Sequence, residues 1–89
     1  MDIDYDKVDD FTLALLYLVT MQEKYGARAW KSFDWETMNR LHEKGYISNP
    51  KSKAKSVAVS EEGLSRAKEL FEHFFSRPGG PPQRFKMVE

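Results

Sequence analysis

Residues 38–71 read MNRLHEKGYISNPKSKAKSVAVSEEGLSRAKELF, a run that holds one helix end, two β-prone segments and one helix start. Gly45 supplies the left-handed residue that ends a helix, and Tyr46 after it is placed for a hydrophobic contact back to Leu41. Upstream, Asp34 is a good N-cap, Glu36 suits the first turn, and Trp35, Met38 and Leu41 recur at three-to-four spacing as an inner face. The spacing predicts a helix over 34–44 with Glu36, Asn39, Arg40 and Glu43 turned outward. Downstream, Tyr46–Ser48 and Ser56–Val59 are β-branched or aromatic, and residues 49–55 between them are polar and contain Pro50. They predict an antiparallel hairpin. Ser60 then caps a last helix, with Glu61 and Glu62 in its first turn and Gly63 where a full capping box has Glu or Gln. Leu64, Ala67, Leu70, Phe71, Phe74 and Phe75 form its apolar stripe, and the helix stops near Ser76 because Pro78, Pro81 and Pro82 follow.

Toward the N-terminus, a helix is expected from Asp6 to Glu23, capped by Asp6. Val8, Phe11, Leu15, Leu18 and Val19 make one apolar stripe at helical spacing. Leu13, Leu16 and Tyr17 lie on roughly the opposite side, about 140–240° from Phe11 at 100° per residue. A helix apolar all round must be covered all round. Either the other helices surround it or Leu13, Leu16 and Tyr17 form a homodimer interface. Residues 24–33, KYGARAWKSF, read as strand, turn or short helix; the short strand is preferred, with Trp30 inward. Trp30, Phe33 and Trp35 read as core, with a stacking platform for single-stranded nucleic acid as the alternative.

Eighty-nine residues make one domain, expected over 1–77, with a flexible Pro/Gly-containing tail over 78–89. There is no cysteine, hence no disulfide and no zinc–thiolate site. The first ten residues are acidic rather than signal-like, and the longest apolar run, Leu13 to Val19, is far below the ~20 residues that cross a bilayer. A cytoplasmic protein without membrane contact is expected. Fourteen basic and fourteen acidic side chains cancel, yet residues 24–55 carry eight Lys and Arg against three acids. Global neutrality disfavours a dedicated nucleic-acid binder, while the local excess keeps that function open.

Catalytic and cofactor signatures are missing. Asp2, Asp4 and Asp6 imitate the opening of a calcium loop, but Lys7 and Leu13 stand where it needs glycine and glutamate. His42 and His73 have no metal-ligand spacing; His42 reads as a packing or pH-responsive surface residue and His73 as solvent-facing. Gly79-Gly80 precedes prolines rather than a phosphate-binding helix start. The expectation is a non-enzymatic protein with no cofactor, no metal and no small-molecule ligand.

MNRLHEKGYI, the lysine-rich loop and KSVAVSEEGLSRAKELF together resemble the closing half of bacterial winged-helix regulators, over about residues 38–71. In those families a glycine-ended helix leads into the wing hairpin, and the second strand runs into a Ser/Thr-x-x-Gly turn. The resemblance implies a recognition helix at 34–44, with Asn39 and Arg40 turned to base edges, and wing lysines Lys51, Lys53 and Lys55 on phosphates of double-stranded DNA. It departs in one respect: residues 24–33 leave little room for the second helix of a helix-turn-helix. FDWETM and RLHEKGYIS also resemble a small bacterial family of unknown function, which implies no activity. The expected fold is α+β, a small winged-helix-like domain in the order helix, short strand, helix, β-hairpin, helix. Two functions fit: a DNA-binding, transcription-regulator-like module, or a protein-interaction or homodimerisation module.

Overall fold

A computed structural model describes residues 1–24 and 26–77, so the expected tail at 78–89 lies outside the described residues. Helix α1 spans Tyr5–Leu18, strands β1 and β2 span Thr20–Glu23 and Gly26–Trp30, helix α2 spans Trp35–Glu43, strand β3 spans Ser56–Val59, and helix α3 spans Glu61–Phe75. The α+β class holds: three helices and one antiparallel sheet in the order β1-β2-β3. This layout is compatible with a winged-helix-like domain.

Helix α1 is shorter than its periodicity suggests, and its cap is Asp4 rather than Asp6: the Asp4 carboxylate accepts from the Lys7 amide at 3.1 Å. The other end has a side-chain cause. The Thr20 hydroxyl donates to the Leu16 carbonyl at 2.7 Å, occupying the acceptor that the next helical amide needs. Thr20–Glu23 then leaves the helix and pairs with β2, Thr20 opposite Ala29 and Glu23 opposite Gly26. Sheet pairing thus overrides the helical spacing of these residues. Gly26 enters β2 at φ 147, which glycine tolerates best.

β2 confirms the strand expected near Arg28, but with the faces exchanged. Ala27 and Ala29 are buried and Trp30 is exposed. Small residues line this face because α1 packs against β2. β3 pairs with β2 from Ala27–Val59 to Trp30–Ser56. The hairpin expected between Tyr46–Ser48 and Ser56–Val59 contracts to one antiparallel bridge, Ile47 to Val59, with the Ser48 amide donating to the Ala58 carbonyl at 2.9 Å. Proximity in sequence gave way to the longer ladder that β2 offers.

The two faces of α1 are likewise exchanged. Leu13 and Leu16 are 1 % exposed and Tyr17 is buried, whereas Phe11, Leu15, Leu18 and Val19 are exposed. Both stripes have helical spacing, so position decides: α3, α2 and β2 all lie on the Leu13–Leu16–Tyr17 side. The chain's own elements cover the three residues assigned to a dimer interface, so they are not available to one. Within α2, Met38 and Leu41 are core as expected, but Trp35 is exposed, and only Phe33 of the Trp30–Phe33–Trp35 group packs against the core.

One junction ties the two halves of the 38–71 segment. The Tyr46 amide donates to the Leu41 carbonyl at 3.1 Å and the Gly45 amide to the His42 carbonyl at 2.9 Å, with Gly45 at φ 85. This is a Schellman motif. The Ser60 hydroxyl donates to the Gly45 carbonyl at 2.7 Å while accepting from the Gly63 amide at 2.9 Å. Gly63 lies flat on this turn, and a Cβ there would penetrate the Tyr46 carbonyl oxygen and approach its Cα to 2.9 Å. The Ser-x-x-Gly element is therefore a close-approach device. On an open helix Gly→Ala stabilises by about 1 kcal/mol. Here the sign reverses: Gly63→Ala should cost about 1–3 kcal/mol by overpacking. Urea unfolding measures it, and an unchanged or higher midpoint contradicts the close contact.

Candidate functional site

Two surfaces compete for the role, and the cations of α2 separate them. Asp9 of α1 is 1 % exposed, and its carboxylate accepts from Arg40 Nε at 2.8 and 3.1 Å. Lys44 Nζ reaches Oδ2 of the same carboxylate at 2.9 Å and Asp6 at 3.1 Å. Arg40 also donates to the Thr37 hydroxyl at 3.0 Å and lies over the Tyr5 ring at 4.9 Å. Thr37 in turn donates to Asp34 at 2.8 Å. That hydroxyl, followed by the Thr37 amide, holds the Asp34 carboxyl below its ordinary 3.8. A polar chain from Asp34 through Thr37 and Arg40 to Asp9 thus locks α2 onto α1.

Arg40, expected at base edges, is spent inside the molecule. Asn39 is half-buried beside it, with Glu36 and Glu43 exposed on the same helix. The loop residues stand differently. Lys51, Lys53 and Lys55 are exposed and make no side-chain ion pair or hydrogen bond among the described residues. Their loop is pinned from below by Lys31, whose ammonium donates to the Pro50 and Ser52 carbonyls at 2.7 and 2.6 Å. Asn49 also accepts from the Lys51 amide at 2.9 Å, a side-chain turn that rigidifies the entry.

The second surface is apolar. Phe11, Leu15 and Leu18 recur along the outer face of α1, and Val19 follows at its C-cap. Val19, Met21 and Trp30 then line one shallow cleft of about 160 Å³, together with Glu23, Arg28 and Lys55. Met21 and Arg28 are directly opposed, so they and Trp30 share the open face of the sheet. Arg28 donates to the Ser56 hydroxyl at 2.8 Å and its carbonyl at 3.0 Å, fixing the cleft floor. Leu18 is 52 % and Trp30 54 % exposed. At its other end the stripe meets α3 where Phe11 stacks on Phe74, ring centroids 4.1 Å apart and 7° from parallel.

Sequence reasoning found these α1 residues as one apolar stripe that some other element or subunit must cover, and it missed Met21. The signal that exposes the error is Thr20-Met21-Gln22-Glu23 facing Gly26-Ala-Arg-Ala-Trp30, with glycine opening the second strand, a hairpin pattern hidden by the preceding helical run.

A third feature, an open groove of about 500 Å³ between the start of α1 and α3, is lined by Asp4, Asp6, Asp10 and Glu69 with Lys7 and Arg66, and Arg66 already pairs with Glu69. Among the described residues no three His, Asp or Glu group to hold a metal, and no helix is long and apolar enough to cross a membrane. His42 Nδ1 lies 3.0 Å from the Ile47 carbonyl, and His73 is exposed.

Asp9→Ala strands two cations. The cost should be about 2–3 kcal/mol, below the 3–5 of fully buried pairs because Arg40 and Lys44 keep 25 and 34 % exposure. Burial pulls the Lys44 pKa down, but hydrogen bonds to Asp9 and Asp6 outweigh it and hold the proton above the usual 10.5. A raised lysine pKa stabilises the fold in full below 10.5 and loses that contribution as pH rises through the folded value. Melting temperatures from pH 9 to 12 should therefore fall less steeply for Lys44→Met than for the native chain. Equal slopes contradict the pairing.

Residues 4–77 match the family described as Domain of unknown function (DUF6429). An uncharacterized protein of Sinorhizobium fredii, y4hR, is 51 % identical over 77 residues, which span 86 % of this chain and 100 % of that relative. No solved structure matches. With nearly the whole folded region matched, and a bacterial relative aligned from end to end, the chain belongs to this small family of unknown function.

Proposed function

We propose that this chain is a protein-interaction module that docks its partner on the apolar face formed by Phe11, Leu15, Leu18, Val19, Met21 and Trp30. One observation carries the reading: six large apolar side chains run without a break from the outer face of α1 into the open sheet face. At roughly 200 Å² per large side chain when fully exposed, they present on the order of 500 Å² of apolar surface. That lies at the upper end of what soluble monomers leave in one patch, and such patches mark interaction sites. A photo-crosslinking residue at Leu18, introduced into the chain in its native cell, should give a discrete covalent adduct. Met21→Lys in the same chain should abolish it, and the same probe at Glu72 should give none. No adduct from Leu18, or one indifferent to Met21→Lys, removes this reading.

A second reading is favoured by the three unpaired lysines on one pinned loop, and by the likeness of residues 38–71 to winged-helix regulators. In it Lys51, Lys53 and Lys55 contact phosphates of double-stranded DNA without base readout, because Arg40 is engaged by Asp9 and Asn39 lacks that neighbour. Each phosphate contact adds about 0.9 to the slope of log affinity against log salt. Titration of a fluorescent duplex should then show binding that weakens with salt, with a slope lower by about 2–3 once all three lysines are alanine. Binding unchanged by the triple substitution eliminates it.

A further inference from the structure

We infer that the open face of the sheet around Trp30 holds single-stranded nucleic acid, with one base stacked on the indole and the flanking phosphates on Arg28 and Lys55. This ligand is distinct from the partner of the interaction reading. Phe11, Leu15 and Leu18 lie outside its site, whereas Met21 and Trp30 belong to both, so the two occupants exclude each other at that end of the stripe.

Strand register assembles the site. Side chains alternate along β2, so Ala27 and Ala29 face the core while Arg28 and Trp30 project from the other side. Met21 and Ala58 both stand opposite Arg28, and Ser56 stands opposite Trp30, on that same side. Trp30 is thus a large ring, 54 % exposed, on a surface whose β3 residues are small. Every base has a face that stacks on such a ring. A duplex hides those faces between neighbouring pairs, so only an unpaired base can use the indole.

Charge selects the nature of the ligand. Arg28 donates to the hydroxyl and carbonyl of Ser56, both neutral, and neither Arg28 nor Lys55 forms an ion pair among the described residues. Glu23, the acid lining the same cleft, stands opposite Gly26, four residues or about 13 Å along β2 from Trp30. The Trp30 end is therefore cationic. The loop carrying Lys51 and Lys53 is held at this end too, because Lys31, next to Trp30, donates to the Pro50 and Ser52 carbonyls.

Size selects a polymer. The cleft measures about 160 Å³, below the ~300–1,000 Å³ of pockets that enclose a small ligand. A free nucleotide would stay largely in water there, whereas a strand adds contacts from its neighbouring nucleotides. Formal neutrality of the chain removes long-range attraction, so affinity rests on these local contacts and weakens with salt.

A fluorescein-labelled single strand of about 15 nucleotides, titrated into the full chain at low salt, should bind more tightly than the duplex of the same sequence. Trp30→Ala should weaken binding about fivefold or more, the loss of one stacked base. Trp30 is exposed, so circular dichroism should show the fold retained. Arg28→Ala and Lys55→Ala should each lower the slope of log affinity against log salt by about 0.7. Trp35→Phe leaves Trp30 as the sole indole, and the strand should quench its emission. No binding at low salt, or binding indifferent to Trp30→Ala, overturns the site. Equal or tighter binding of the duplex overturns the single-strand assignment in favour of the duplex reading. Displacement of the strand by oligoglutamate at matching concentration overturns it in favour of an acidic protein segment. A protein adduct from the Leu18 probe without strand binding removes this ligand and leaves the interaction reading standing; strand binding without an adduct does the reverse.

Discussion

Asp9 is the hinge pin of the molecule. A carboxylate with 1 % exposure carries a desolvation cost of several kcal/mol unless it is matched, and here two cations, Arg40 of α2 and Lys44 at its C-cap, both reach it. The match fixes more than energy. Because Arg40 and Lys44 are four residues apart, they lie one turn apart on α2, and only one rotation of that helix brings both to a single carboxylate. That rotation puts Met38 and Leu41 in the interior and leaves Trp35, Glu36 and Glu43 outside. The ion pairs thus choose the face of α2, and the apolar contacts follow.

The same constraint shapes the functional surfaces. An arginine held by Asp9, supported by Thr37 and stacked over Tyr5 is a structural residue, and freeing it for another ligand would leave the carboxylate buried and unpaired. Among the cations of residues 24–55, Lys51, Lys53 and Lys55 stay outward on the loop and Arg28 borders the cleft around Trp30. The apolar stripe of α1, by contrast, stays partly exposed beyond the Phe11–Phe74 stack, because Leu13, Leu16 and Tyr17 take the interior side of that helix.

How much of this could be read from the chain alone varied with the kind of information each element holds. α2, α3, their caps and the glycine turn at Gly45 were legible because their signals are local: a capping side chain, a three-to-four stripe, a residue that tolerates positive φ. The choice between the faces of α1 was not, since Phe11–Leu15–Leu18 and Leu13–Leu16–Tyr17 have equal claims until something is placed beside them. β1 was concealed for a related reason. Thr20-Met21-Gln22-Glu23 continues a helical run smoothly, and only the Thr20 hydroxyl bond and the ladder to β2 break it. The loop lysines were read as exposed, whereas the internal use of Arg40 depended on a partner 31 positions away.

The packing of α1 against α3 also has a temporal side. Helix α1 is apolar on two faces, and the element that covers its inner face, Glu61–Phe75, is synthesised well after it. Until α3 emerges, the nascent chain therefore carries a helix whose α3-facing side is bare. Closure of the α1–α3 contact is in this sense a late step relative to the synthesis of α1.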